Sequence, residues 1–125
     1  MIHIKPGVTI HRLQPQVVLA THAVDGIYQR HGIIECWLTS GSDGKHRAGS
    51  KHYSGEAVDI RTRNVPSQLR IPVAIDVAKA LVGRVFDGRH GRVKMIFQSP
   101  GNPSLFDIFL HKTHMHVEYD VKEQT

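Results

Sequence analysis

The chain has 125 residues, a length that fits a single domain. Its composition, 40% hydrophobic and 22% charged, excludes a disordered chain, and its single cysteine, Cys36, excludes an internal disulfide. The net charge of +5 favours polyanionic partners. No aromatic residues are interleaved with the basic clusters, however, so we expect no nucleic-acid partner.

In chain order the sequence predicts a lead-in, a helix, two strands, a second helix and three strands. Prolines and glycines mark the helix ends, and β-branched or alternating apolar runs mark the strands. The predicted spans are an extended lead-in over 1–13, a helix from Pro15 to a cap at Gly32, strands over 33–39 and 56–63, a helix from about Ile71 to Gly83, and strands over 93–98, 105–110 and 114–119.

We expect the strands over 93–98 and 105–110 to form a hairpin across residues 99–104. The order of elements indicates an α+β fold, with two main helices packed on a small, largely antiparallel sheet. No linker or repeat divides the chain, so residues 1–125 are predicted to form one domain.

Two separated motifs carry the chemistry of the chain. His52 and Asp59 lie near each other in sequence, and Gly55 allows the chain to turn between them. His114 and His116 follow much later. Two imidazoles and a carboxylate form the ligand set of a catalytic zinc, which keeps a fourth position open for water. The four residues therefore favour metal-assisted hydrolysis.

Strand periodicity predicts how these side chains meet. Side chains two residues apart share a strand face, so His114, His116 and Glu118 should point the same way. Asp59 then needs only to lie on a neighbouring strand to reach them. A His-x-His pair alone is more often two hydrogen-bonded histidines on a half-buried strand. Its combination with the earlier motif is what indicates a metal site.

The pattern Ser50-x-His52-x-x-Gly55-x-Ala57-x-Asp59, followed by His114-x-His116, resembles the LAS-type zinc peptidases. It is most similar to short bacteriophage and prophage members of the D-alanyl-D-alanine carboxypeptidase and L-alanyl-D-glutamate endopeptidase branch. The resemblance covers about residues 15–120 and implies a hedgehog/DD-peptidase-like fold.

The resemblance also implies roles for individual residues. It makes His52, Asp59 and His116 the ligands of one zinc ion, and His114 an active-site histidine that helps to activate water. His111 lies where some carboxypeptidases of the family place a further active-site histidine. Its alternative role is that of a hydrogen-bonded residue at a strand end.

Two positions depart from the family pattern. Many relatives carry an acidic base three residues before the last ligand, where this chain has Thr113, so His114 or another carboxylate must act instead. Glu118 lies on the correct face, and we assign it to orienting an imidazole. Many relatives also have a substrate-binding arginine where this chain has Asp43. The residues that we assign to substrate binding are Ser50 and Arg47, with Lys51 as the alternative source of positive charge.

The metal motifs predict a hydrolase, and the resemblance implies a zinc-dependent peptidase that cleaves a peptide bond in peptidoglycan stem peptides, of either the D-Ala-D-Ala or the L-Ala-D-Glu type. The N-terminus lacks a signal-peptide pattern. We therefore expect synthesis in the cytoplasm, followed by holin-type release during phage lysis or by packaging in a virion. A monomer without membrane insertion is expected.

Two other functions compete with this one. The first is a non-catalytic, zinc-stabilised module that binds the wall or has a structural role, as the hedgehog domain illustrates; Thr113 favours it. The second is a metal-dependent nuclease, because histidine and aspartate also serve that chemistry and the chain is basic.

Overall fold

The computed structural model describes residues 1–42, 50–101 and 104–120. Within them the chain is an α+β fold, with two helices packed on a seven-stranded mixed sheet. The elements are β1 (Ile2–Ile4), α1 (Pro15–Arg30), β2 (Cys36–Ser40), β3 (Ala57–Arg61), a 3₁₀ turn (Ser67–Leu69), α2 (Arg70–Leu81), β4 (Gly83–Asp87), β5 (Lys94–Gln98), β6 (Phe106–Leu110) and β7 (His114–Tyr119).

Both predicted helices are present. Pro15 is the first helical residue of α1, where its missing N–H breaks no hydrogen bond, and Gly32 follows the helix with a φ of +79°. Pro72 lies in the first turn of α2, which tolerates proline for the same reason. No helix in the described part of the chain is both long and apolar enough to cross a membrane.

The core lies between the helices and one face of the sheet, the inner face. Val17 and Val24 of α1 and Val77 of α2 are fully buried there. The buried strand residues in the same cluster are Cys36, Leu38, Val58, Ile60, Val85, Phe106, Ile108, Leu110, Met115 and Val117. Burial of each side chain of this size contributes about 1.5–3 kcal/mol. Because strand side chains alternate, the intervening residues lie on the opposite, outer face.

The sheet corrects the predicted topology. Its strand order is β1-β2-β3-β7-β6-β4-β5. The β1–β2 and β4–β6 pairs are parallel and the other four are antiparallel, so the sheet is larger than predicted and only partly antiparallel. The predicted hairpin of β5 with β6 is wrong. Both strands pair with β4, which lies between them.

Strand β4 was not predicted, because it follows α2 without a loop. Val82 ends the helix with a φ of +57°, a conformation that is unusual for a β-branched residue. Gly83 is therefore not the helix cap but the first residue of β4. A Cβ atom there would lie 2.9 Å from the carbonyl oxygen of Phe106, so this glycine permits close approach of β4 to β6.

The N-terminal elements also differ in their bounds. Part of the extended lead-in forms β1, a short edge strand that pairs with β2. Strand β2 begins at Cys36 rather than at residue 33. Ile34, which the prediction placed in the buried strand, is 76% exposed.

Candidate metal centre

Asp59 and His116 face each other across β3 and β7. Five consecutive residue pairs fix the register of these antiparallel strands. The inner-face neighbours Val58, Ile60 and Val117 are 0% exposed. A slip of one residue would exchange these apolar side chains with the polar ones, so the buried face holds the register. In this arrangement His116 Nδ1 lies 2.9 Å from Asp59 Oδ1.

His52 reaches this pair from a turn over residues 50–56. Its Nδ1 lies 2.7 Å from the carbonyl oxygen of Gly41. Because a carbonyl oxygen only accepts, Nδ1 donates this hydrogen bond and Nε2 is left to face Asp59. This Nε2 atom lies 3.2 Å from Asp59 Oδ1. Gly41 follows a register shift between Leu38 and Ser40, a β-bulge in β2 opposite Asp59.

Gly55 makes the turn possible. It has a φ of +73°, and a Cβ atom added to it would overlap the carbonyl group of Arg12. Its own carbonyl accepts a 2.8 Å hydrogen bond from the backbone N–H of Gln14. The predicted turn between His52 and Asp59 is therefore present, and the segment just before α1 holds it in place.

His52, Asp59 and His116 form one donor group. Each offers a ligand atom, and these atoms all lie within 4.8 Å of one another. The side chains are well enclosed: His52 is 4% exposed and the other two are 16% exposed. Two imidazole nitrogens and one carboxylate oxygen match the donor chemistry of a three-ligand zinc site. The residues predicted to bind the metal thus come together and can hold an ion.

Glu118 fixes the ring of His116 from the other side. Its Oε1 atom lies 2.9 Å from His116 Nε2, in the position of an orienting carboxylate. Lys51 Nζ lies 4.0 Å from Glu118 Oε2 and donates a 2.8 Å hydrogen bond to the carbonyl of Tyr119. Lys51, the alternative source of charge for substrate binding, is therefore held beside Glu118.

The carboxylates set the protonation of the group in the metal-free protein. Burial opposes ionisation of Asp59, but hydrogen bonds from His116 and His52 outweigh it and hold the pKa of Asp59 well below its usual range. Burial also disfavours a charged His116, yet its hydrogen bonds to Asp59 and Glu118 raise its pKa to about 9. A metal ion that binds Nδ1 near neutral pH must therefore displace a proton.

His114 adjoins the donor group without belonging to it. Its Nε2 atom lies 3.9 Å from Asp59 Oδ2, and its ring stacks on that of His111 with centroids 4.8 Å apart. Burial lowers the pKa of both histidines. Both residues predicted to be catalytic are thus neutral imidazoles near pH 7 and lie side by side next to the ligands.

The residues predicted to bind substrate are less closely tied to the centre. Ser50 Oγ accepts a 3.3 Å hydrogen bond from the backbone N–H of His52, so Ser50 shapes the turn. Arg47 lies outside the described residues.

Thr113, which stands where many relatives carry an acidic base, is exposed, and its Oγ1 atom lies 3.5 Å from His114 Nδ1.

Two contacts of the centre were not predicted. The ring of Phe109 meets that of His116 edge-on at 5.8 Å and stacks on Phe86 at 4.9 Å, which gives the centre an aromatic side. Alternation along β6 would have placed Phe109 on the outer face. The carbonyl of Gly41 has no signal in the sequence, because every residue carries such a group.

A scan against protein-family models found no match, and searches of the curated proteins and of the solved structures found none either. The resemblance to LAS-type peptidases therefore rests on the motif residues alone.

Proposed function

We propose that the protein is a zinc-dependent peptidoglycan peptidase with a hedgehog/DD-peptidase-like fold. One observation carries the proposal. His52, Asp59 and His116 converge into a single donor group, while His114 stays outside it on the same face of the sheet. Three protein ligands leave a position open for water, as in catalytic zinc sites, whereas structural zinc sites use four protein ligands. A separate histidine can supply the proton transfer that hydrolysis uses.

The donor atoms would be His52 Nε2, Asp59 Oδ1 and His116 Nδ1. A zinc ion held there would lower the pKa of a water molecule and polarise a substrate carbonyl. The chain keeps both imidazoles in the required orientation, because the second nitrogen of each is bonded to Gly41 or to Glu118.

His114 supports the proposal as the proton-transfer residue. Its side chain is 34% exposed, so a substrate or a water molecule can reach it. Its lowered pKa keeps it neutral near pH 7, the form that accepts a proton. A base placed in this way contributes about 10²–10⁴-fold to a rate. Within the described residues Asp59, a proposed ligand, is the carboxylate that lies within 4.0 Å of a nitrogen of His114. Because Thr113 cannot act as a base, that role falls to His114.

The proposed substrates are peptidoglycan stem peptides, cut at either D-Ala-D-Ala or L-Ala-D-Glu. These peptides carry free carboxylates, which suit the net charge of +5. The proposed setting is a phage protein that reaches the wall after holin-type release or as part of a virion.

Mass spectrometry of purified cell wall after digestion tests the proposal. We expect new peptide ends with the zinc-loaded protein and none after chelation. His116→Ala should lose both zinc and activity, whereas His114→Ala should keep zinc and lose activity. His22→Ala, an exposed histidine of α1, is the matched control and should behave as wild type. Wall cleavage by the metal-free protein would contradict the proposal.

A non-catalytic zinc-stabilised module is the second candidate, and Thr113 favours it. Many peptidases of the branch that this chain resembles carry a carboxylate at this position. This chain has an exposed hydroxyl there, which cannot take a proton from water. Zinc-loaded protein that binds purified wall without releasing amino groups would identify this function.

A further inference from the structure

A pocket of about 270 Å³ opens beside the candidate metal centre. Its lining is polar and basic, and consists of Lys5, Thr39, Arg61, Arg63, Thr113 and His114. His114, which adjoins the donor group, also lines the pocket. It draws its charge from the segment after β1 and from the end of β3, neither of which the sequence assigned to substrate binding.

Arg61 is the least exposed of the three cations of this pocket. It shares the outer face of β3 with Asp59 and pairs directly with His114 across the sheet. Its guanidinium carbon lies 5.1 Å from the ring centroid of Trp37, and that ring stacks on His3 at 4.6 Å. Stacking occupies the face of the guanidinium, so its N–H edges remain suited to in-plane hydrogen bonds.

The positive charge of the pocket is not neutralised by the described part of the chain. Lys5, Arg61 and Arg63 form no ion pair with a carboxylate of residues 1–42, 50–101 or 104–120, whereas Arg84 and Arg89 do. Three cations around one small pocket attract an anion, and a held guanidinium loses little side-chain entropy when it binds one.

We propose that this pocket binds a free carboxylate of the stem peptide, with Arg61 as its main contact and Lys5 and Arg63 beside it. The proposal rests on the proposed function, since it names the substrate group that docks next to His114. A planar carboxylate can accept two parallel hydrogen bonds from a guanidinium. The pocket would then fix how far the peptide extends past the donor group, and so which bond lies over the centre.

Binding to the metal-free protein tests the pocket without hydrolysis. The probe is the pentapeptide L-Ala-γ-D-Glu-L-Lys-D-Ala-D-Ala, compared with two versions amidated at the C-terminus or at the α-carboxylate of D-Glu. We expect one amidation to weaken binding by about 10-fold, which also identifies the carboxylate. Equal binding of all three peptides would overturn the proposal.

Charge-matched variants assign the effect to the pocket. Arg61→Gln should weaken binding of the free pentapeptide by about 10-fold and remove the effect of amidation. Arg30→Gln removes the same charge from an exposed position at the end of α1 and should bind as wild type. Lys5→Gln, at an exposed position, gives a second test if Arg61→Gln fails to fold. Displacement of the peptide by equimolar inorganic phosphate would assign the pocket to phosphate and overturn the proposal.

The two proposals fail in different ways. Carboxylate binding that depends on Arg61, in a protein that cuts no wall, would support the pocket and contradict the peptidase. Wall cleavage by Arg61→Gln with an unchanged KM would support the peptidase and overturn the pocket.

Discussion

The candidate metal centre joins two regions of different construction. Asp59 and His116 lie on β3 and β7, which pair over five consecutive residues above a fully buried inner face. His52 lies on a turn held by backbone hydrogen bonds and by the packing of Gly55 against the chain before α1.

This difference separates the requirements of folding from those of metal binding. The strand pair is part of the core, so Asp59 and His116 stay together whenever the protein is folded. The turn contributes little apolar burial. Segments of this kind need the least free energy to unfold locally. Changes in the turn should therefore weaken metal binding without unfolding the sheet.

The largest expected loss of zinc affinity follows from removing the ligand on β7. His116→Ala removes a donor atom and the hydrogen bond that stabilises the charge of Asp59. We expect zinc affinity to fall by well over 100-fold, beyond the about 10–100-fold typical of partners that only orient a ligand. Competition with a chromogenic chelator measures it. A loss of less than 10-fold would remove His116 from the ligand set.

Gly55→Ala should break the turn while sparing the sheet. Alanine is strained at a φ of +73°, and its Cβ would overlap the carbonyl of Arg12. A strain of about 2–3 kcal/mol corresponds to a loss of zinc affinity on the order of 100-fold. Circular dichroism should be unchanged.

Gly91→Ala is the matched control for this turn. Gly91 has a φ of +95° but open space around its Cβ position, so the conformational strain is the same without the collision. Equal zinc affinities of the two variants would show that the packing against Arg12 does not position His52.

Glu118→Gln tests the outer support of His116. Glutamine can still accept a hydrogen bond from His116 Nε2, but it lacks the charge that favours this contact. We expect a loss of zinc affinity of about 10-fold, at the low end for orienting carboxylates. Glu35→Gln, on an exposed residue outside the group, should leave the affinity unchanged.

The pH dependence of the metal-free protein reports on the same histidine. The pKa of His116 in the folded state, about 9, lies above its ordinary value of 6.5. The contribution of protonated His116 to the free energy of unfolding is therefore complete below pH 6.5 and is lost as the pH rises through 9. Urea unfolding between pH 6 and 10 should show this fall in the free energy of unfolding, and metal-free His116→Ala should not. A wild-type protein that gains stability over this range would contradict the assigned charges.

The smallest effect is expected far from the centre. Val82→Gly relieves the left-handed conformation at the end of α2 and should raise the free energy of unfolding by about 1 kcal/mol. Zinc affinity should stay at the wild-type value. A coupled change in affinity would show that the α2–β4 connection reaches the metal centre.

The site could be predicted from sequence where local periodicity decides the geometry. Alternation placed Asp59 and Arg61 on one face of β3, and His114, His116 and Glu118 on one face of β7. Gly55 indicated the turn. Contacts that depend on tertiary structure could not be predicted from the sequence. The carbonyl of Gly41 has no residue-specific signal. Lys5 and Arg61 line one pocket only because β1 pairs with β2 on the side away from β3.

The fold, too, could be predicted where local signals decide the structure and not where distant segments pair. Helices α1 and α2 followed from their proline and glycine signals, whereas the place of β4 between β5 and β6 is a non-local pairing. The glycine at position 83 has the appearance of a helix terminator. Its actual role is a close approach to Phe106, which no property of the neighbouring sequence indicates.

The stacking of Trp37 between His3 and Arg61 has a practical consequence. Trp37 is the only tryptophan of the chain, so the intrinsic fluorescence of the protein comes chiefly from a ring that contacts Arg61 of the basic pocket. An anion that draws the guanidinium of Arg61 away from the indole ring should change the emission of Trp37. The protein thus carries its own optical reporter of pocket occupancy, and ligands can be screened without a label.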